Sequence, residues 1–172
     1  MRPDSSILGE TEGFKSLAIV GCPACANYCL AYEKDEPVQK LVTNEKTGSS
    51  SKLPVALMKE MNRLKGLLED RGASVVVEVW PAVCITTVDP ELQWGGPQYT
   101  DPELVNRCSE VEAVVALCCA LGVLGLKHRF GKDVKVVSGM RTEGLFRIHF
   151  TLDRDAGLVY IDKEKSRIIR NL

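Results

Sequence analysis

Leu17-Ala-Ile-Val-Gly-Cys22 and Ala113-Val-Val-Ala-Leu-Cys118 decide how this chain is read. Each is a short apolar run, rich in branched side chains and closed by a cysteine. Such near-continuous apolar runs mark strands covered on both faces, as in a parallel sheet. Two further runs, Ser74-Val-Val-Val-Glu-Val-Trp80 and Asp133-Val-Lys-Val-Val-Ser138, have the same character. Helical patterns lie between them. Pro54 opens a helix whose apolar stripe is Val55, Leu57, Met58, Met61, Leu64, Leu67 and Leu68, and Gly72 stops it. Gly122 to Arg129 is expected to be helical. Cys25 to Val42 is also expected to be helical, broken or kinked at Pro37. Strands alternating with helices predict βαβ units and therefore an α/β fold. We expect a Rossmann-like three-layer sandwich whose mainly parallel sheet has about four strands, in the order 2-1-3-4.

The rest of the chain reads as connections and a different tail. Residues 1–16 form a polar, loose arm, and residues 17–144 form the α/β domain. Thr43 to Lys52 is a loop of glycine, serine and charge. Asp89 to Pro102, with three prolines and two glycines, is another. Pro102 to Ser109 is read as a short helix. Leu145 to Leu152, Leu158 to Asp162 and Ser166 to Arg170 read as short strands, with a turn at Asp155-Ala-Gly157. Residues 145–172 are expected as a short C-terminal β extension, too small for a core of their own.

Composition narrows the function classes. The chain has 172 residues and a net charge of −1, so charge offers no reason to expect nucleic acid or an anionic membrane as partner. No run approaches the ~20 apolar residues of a membrane helix, and the N-terminus lacks the apolar core of a signal peptide. The expected location is cytoplasmic. Seven cysteines are unusual there. A reducing compartment and an odd count both argue against a disulfide framework.

The placement of the cysteines is the informative feature. Cys22 closes strand one, Cys84 follows strand two, and Cys118 and Cys119 close strand three. In an open parallel sheet the carboxyl ends of all strands share one edge, where ligand sites form. With neighbouring strands ~4.8 Å apart, the order 2-1-3-4 brings Cys22, Cys84 and Cys118 within about 10 Å. Cys22, Cys25 and Cys29 form Cys-x2-Cys-x3-Cys, whose spacings of three and four share one helix face. Helix N-termini at the same edge favour thiolates. Three converging thiolates with a fourth from Cys118 or Cys84 would hold an iron–sulfur cluster or a zinc ion. Cys22-x-x-Cys25 beside a βαβ unit also admits a thiol–disulfide redox enzyme.

Other residues read as ordinary. Cys108 and Cys119 read as buried small hydrophobes. His128 reads as a solvated helix end, and His149 as a surface position on a strand beside Arg147. Arg141 and Thr142 follow strand four at the ligand edge. Trp80 and Trp94 are as well explained by a core as by a site. The segment after strand one lacks G-x-G-x-x-G, which disfavours a nicotinamide or flavin bound in the standard way.

Ile19-Val-Gly-Cys-Pro-Ala-Cys-Ala-Asn-Tyr-Cys29 resembles the opening of the small cysteine-rich partner (C-terminal-type) protein of methylenetetrahydrofolate reductase in anaerobic one-carbon pathways. Val114-Val-Ala-Leu-Cys118 with Gly122, and Gly131-Lys-Asp-Val134, resemble two later anchors of that family in the same order. The resemblance runs from about Leu17 to Gly144. The chain departs from it in having Ala31 and Tyr32 where the family has glycines, Cys119 where it has glycine, and no cysteine after Cys119. The resemblance implies a 4Fe–4S-binding accessory or electron-transfer protein, a non-catalytic subunit working with a flavin-containing reductase or another redox subunit. It implies Cys22, Cys25, Cys29 and Cys118 as ligands. A structural zinc module for protein assembly is the rival expectation.

Overall fold

The computed structural model describes residues 1–43, 50–80, 106–108, 110–141 and 143–170. The chain divides into two compact units: residues 1–26 with 61–142, and residues 27–60 with 143–172.

The first unit is built on a four-stranded parallel sheet flanked by helices. Its strands are β1 (Ser16–Gly21), β4 (Ser74–Val79), β5 (Ala113–Leu117) and β6 (Lys135–Ser138), in the order β4-β1-β5-β6. Strand one of the sequence therefore lies between strands two and three. The register pairs Gly21 with Val79 on one side and with Leu117 on the other, so three strands end level. Burial follows this order. Leu17 to Val20 in β1 and every residue of β5 are buried, because the two central strands are covered on both faces. The edge strands β4 and β6 alternate or are half-covered. Helix α4 (Ala120–Phe130) leaves β5 after two residues, and its Gly122 and Gly125 are buried.

The amino terminus is not a loose arm. Asp4–Glu10 forms a helix, α1, with Ile7 fully buried. Tertiary contacts hold this short polar helix, which is why periodicity alone does not reveal it. The Arg2 guanidinium donates to Ser138 O at 2.9 Å and pairs with Glu10. Arg63 forks onto both oxygens of Asp4 at 2.7 Å.

In the second unit, β2 (Gln39–Thr43), β3 (Ser50–Pro54), β8 (Phe150–Asp153) and β9 (Leu158–Ile161) form an antiparallel sheet in the order β3-β2-β9-β8. Strands β7 (Leu145–Arg147) and β10 (Arg167–Ile169) form a separate two-stranded ribbon. Three expectations change here. Helix α2 (Cys25–Lys34) ends eight residues before Val42. Asp35 takes φ 59° and Pro37 follows, so the chain leaves the helix and enters β2. The expected loop at 43–52 begins and ends in strand, since Thr43 pairs with Ser50; residues 44–49 lie outside the described residues. The C-terminal strands are not a separate extension, because Lys40 of β2 pairs with Leu158 of β9. Thirty C-terminal residues cannot enclose a core, and residues 27–60 supply the partner strands. The predicted turn is present: Asp153 Oδ1 accepts the N–H groups of Asp155 and Ala156, and Gly157 takes φ 63°.

Helix α3 (Val55–Glu69) carries the predicted stripe, with Leu57, Met61, Leu64 and Leu68 buried. The residue before it, Pro54, has no side-chain oxygen to cap its first turn. The cap comes from elsewhere. Asn27, fully buried in α2, accepts the Leu57 N–H at 3.0 Å through Oδ1 and donates from Nδ2 to Val38 O at 2.8 Å. Val38 O also accepts the Val55 N–H at 3.2 Å. Two free N–H groups of the helix terminus are thus satisfied from outside the helix.

Candidate site at the carboxyl edge of the parallel sheet

Cys22 and Cys118 are the residues immediately after β1 and β5. These strands are hydrogen-bonded neighbours, and the pairing continues past their ends: the Cys22 N–H donates to Leu117 O at 2.9 Å. The two cysteines therefore occupy neighbouring positions on one sheet edge, at the strand spacing of ~4.8 Å. Both are buried, each 2 % exposed. The third strand contributes Trp80, whose N–H donates to Gly21 O at 3.0 Å.

Two helices start at this edge and each begins with a cysteine. Cys25 is the first residue of α2 and is exposed; Cys29, one turn on, is half-buried. Cys119 is the N-cap of α4 and makes no side-chain capping bond. It is half-buried, not the buried hydrophobe that its apolar neighbours suggest. A helix start exposes positive N–H groups, the environment that stabilises a thiolate. Cys84 lies outside the described residues.

Among the described residues, no three His, Cys, Asp or Glu side chains are grouped as a metal site. The edge brings Cys22 and Cys118 to adjacent strand ends and starts α2 at Cys25. It does not gather the full set of four. The donor chemistry fits a soft, thiolate-preferring centre.

Cys108 belongs elsewhere. It is fully buried, and burial together with the neighbouring Glu78 carboxylate pushes its thiol up to about 12, against a partial opposing effect of Arg107. Such a thiol stays protonated and unreactive. His128 is exposed in the last turn of α4, as expected. His149 is half-buried and lies between β7 and β8 rather than on a strand. Arg141 is exposed, and Thr142 lies outside the described residues.

The sequence left Trp80 open between core and site and did not single out Asn27, whose bonds go to Val38 and Leu57. Trp80 is 3 % exposed and packs its ring 6.3 Å from that of Phe130, and its indole N–H has no acceptor among the described residues. It is the only such buried side-chain atom among the described residues, where buried donors are as a rule paired. Its position directly after the β-branched run of β4 was the available signal. Asn27, between Cys25 and Cys29, was signalled only by being polar in an otherwise apolar helix segment.

Gly139, just past β6, completes the edge. A Cβ there would stand 2.4 Å from Leu117 Cδ2, so any other residue would have to displace that side chain. Neither a family model, nor a curated protein, nor a solved structure matches this chain.

Proposed function

We propose that the carboxyl edge of the parallel sheet holds a thiolate-bound metal centre, an iron–sulfur cluster, and that the chain serves a redox partner as an accessory or electron-transfer protein. The observation that carries this reading is the placement of Cys22 and Cys118 directly after two neighbouring strands, with a helix opening at Cys25. Cys22, Cys25, Cys29 and Cys118 would be the ligands, with Cys84 as the substitute for Cys118. Metal sites are rarely preformed without the metal, and its binding free energy is shared with local folding. The exposed Cys25 would join the buried pair on that basis. When bound, the cluster supplies one-electron chemistry and the chain supplies burial, hydrogen bonds and orientation. Trp80, just past the end of the strand neighbouring β1, has an indole N–H without a partner among the described residues, and hydrogen bonds to sulfur tune such centres. Leu121 and Leu124 on α4, 67 % and 62 % exposed, give a protein partner an apolar contact near the cysteines. The resemblance to the cysteine-rich partner of methylenetetrahydrofolate reductase points the same way and suggests a flavin-containing reductase as that partner.

The test is purification without oxygen followed by iron, sulfide and zinc analysis. Iron with sulfide and broad absorption near about 400 nm is the expected result. Cys→Ser at 22, 25, 29 and 118 should each sharply reduce iron, because serine is a poor ligand for soft centres. Cys108→Ser and Cys119→Ser should leave it unchanged. Stoichiometric zinc without iron would establish the structural-zinc reading instead. Metal-free protein with a titratable Cys22–Cys25 disulfide would establish the thiol redox reading. Equal metal in wild type and the Cys25 and Cys29 variants would end the cluster proposal.

A further inference from the structure

The β7–β10 ribbon places two arginines directly opposite one another: Arg147 pairs with Arg167 in the antiparallel register. Side chains that face each other across such a pair have Cβ atoms ~5 Å apart, and like charges there oppose the pairing. Two-stranded ribbons are marginal to begin with. The ribbon's other face is accounted for, since the Phe146 ring meets Tyr32 edge-on at 4.8 Å. Among the described residues, neither guanidinium has a hydrogen-bond or ion-pair partner. Arg170, also exposed and next to the ribbon in sequence, pairs with Glu143 at 3.0 Å.

The two arginines line a shallow cavity of about 380 Å³ together with His149, Glu164, Lys165 and Ser166. Three cations and one carboxylate line it, and one of the cations, Lys165, is also paired with Asp162, which leaves the two arginines as the main positive charge. The floor of the cavity is cross-linked. Buried Ser166 accepts the His149 N–H at 2.9 Å through Oγ and donates from Oγ to His149 O at 3.3 Å. The Asp162 N–H also donates to His149 O, and the Ser166 N–H donates to Asp162 O, each at 2.9 Å. Asp162 holds Lys165 at the rim through a 3.0 Å ion pair. A repulsive arginine pair on a pre-organised floor is unfavourable alone and favourable around an anion.

We propose that this cavity binds a phosphate group, free or carried by a small molecule. Each guanidinium presents a fork of donors that matches two oxygens, so a facing pair suits a phosphoryl group with three terminal oxygens and up to two charges better than a carboxylate with two oxygens. One cavity in a chain of net charge −1 is not the extended basic stripe that tracks a nucleic-acid backbone. The inference is independent of the metal centre.

The test uses the full chain, with inorganic phosphate, phenyl phosphate or chloride added at matched ionic strength and amide NMR as readout. Saturable shifts at Arg147, His149 and Lys165–Arg167 with phosphate but not chloride are expected. Tighter binding of phenyl phosphate would assign the site to a phosphorylated small molecule, and equal or tighter binding of inorganic phosphate would assign it to the free ion. Arg147→Gln and Arg167→Gln should each weaken binding at least roughly tenfold, since each removes one charged bidentate contact. Arg154→Gln, outside the cavity, should not. Without phosphate, Arg167→Gln should raise the melting temperature, which a merely structural role for the pair would not produce. Shifts shared with chloride, binding retained in both variants, or an oligonucleotide outcompeting phosphate would overturn the proposal.

Discussion

Asn27→Ala removes the side chain that caps α3 from another element, and its cost can be worked from two hydrogen bonds. The Leu57 N–H loses its acceptor at a buried position, so it bears a desolvation penalty of ~1–3 kcal/mol. Val38 O loses the Asn27 amide but keeps the Val55 N–H, so its loss is the ordinary net value of about 1 kcal/mol. The sum is about 2–4 kcal/mol. At ~2–4 °C per kcal/mol for a chain of this size, the melting temperature should fall by roughly 4–16 °C. Urea unfolding followed by circular dichroism should show a lower midpoint and an unchanged slope. Asn27→Asp separates the two bonds. It keeps an acceptor for Leu57 but sets a carboxylate against Val38 O, so it should also destabilise. An Asn27→Ala protein within 0.5 kcal/mol of wild type would refute the capping argument (the size expected of an inconsequential substitution).

Gly139→Ala should cost about 1–3 kcal/mol, because the new methyl meets Leu117 Cδ2 at 2.4 Å and the fully buried Leu117 has little room to yield; a melting curve matching wild type would show otherwise. Glu112 accepts the backbone N–H groups of Lys15 and Ser16, and these bonds hold its carboxyl below the usual 4.5. Its contribution is therefore complete above pH 4.5 and is lost as pH falls through the lower folded value. Glu112→Gln should flatten the acid limb of the stability profile, and an unchanged limb would count against the bond. Alkylation followed by mass spectrometry in the metal-free native protein should label exposed Cys25 first and Cys108 last, because the Cys108 thiol is buried and held protonated; equal rates would contradict that ordering.

The sequence by itself determined the parallel sheet. Leu17–Val20 and Ala113–Leu117 are apolar at every position, and only a strand covered on both faces can bury such a run, so their central place was legible. The stripe of α3 and the Asp153–Gly157 turn were legible too, since each depends on residues close in the chain. The cysteines could be assigned to strand ends and helix starts for the same reason. Only tertiary structure decided the rest. Gln39–Thr43 pairs along its length with Ser50–Pro54, and its first two residues also pair with Val159 and Leu158, over a hundred residues away, which no local pattern records. Residues 4–10 become a helix because Arg2 and Asp4 find Ser138 and Arg63. Asn27 caps a helix it does not belong to, and Arg147 meets Arg167 across a ribbon. Local pattern records which face of an element must be buried. It carries no record of which distant backbone groups will be left needing a partner, and that need is what placed these residues.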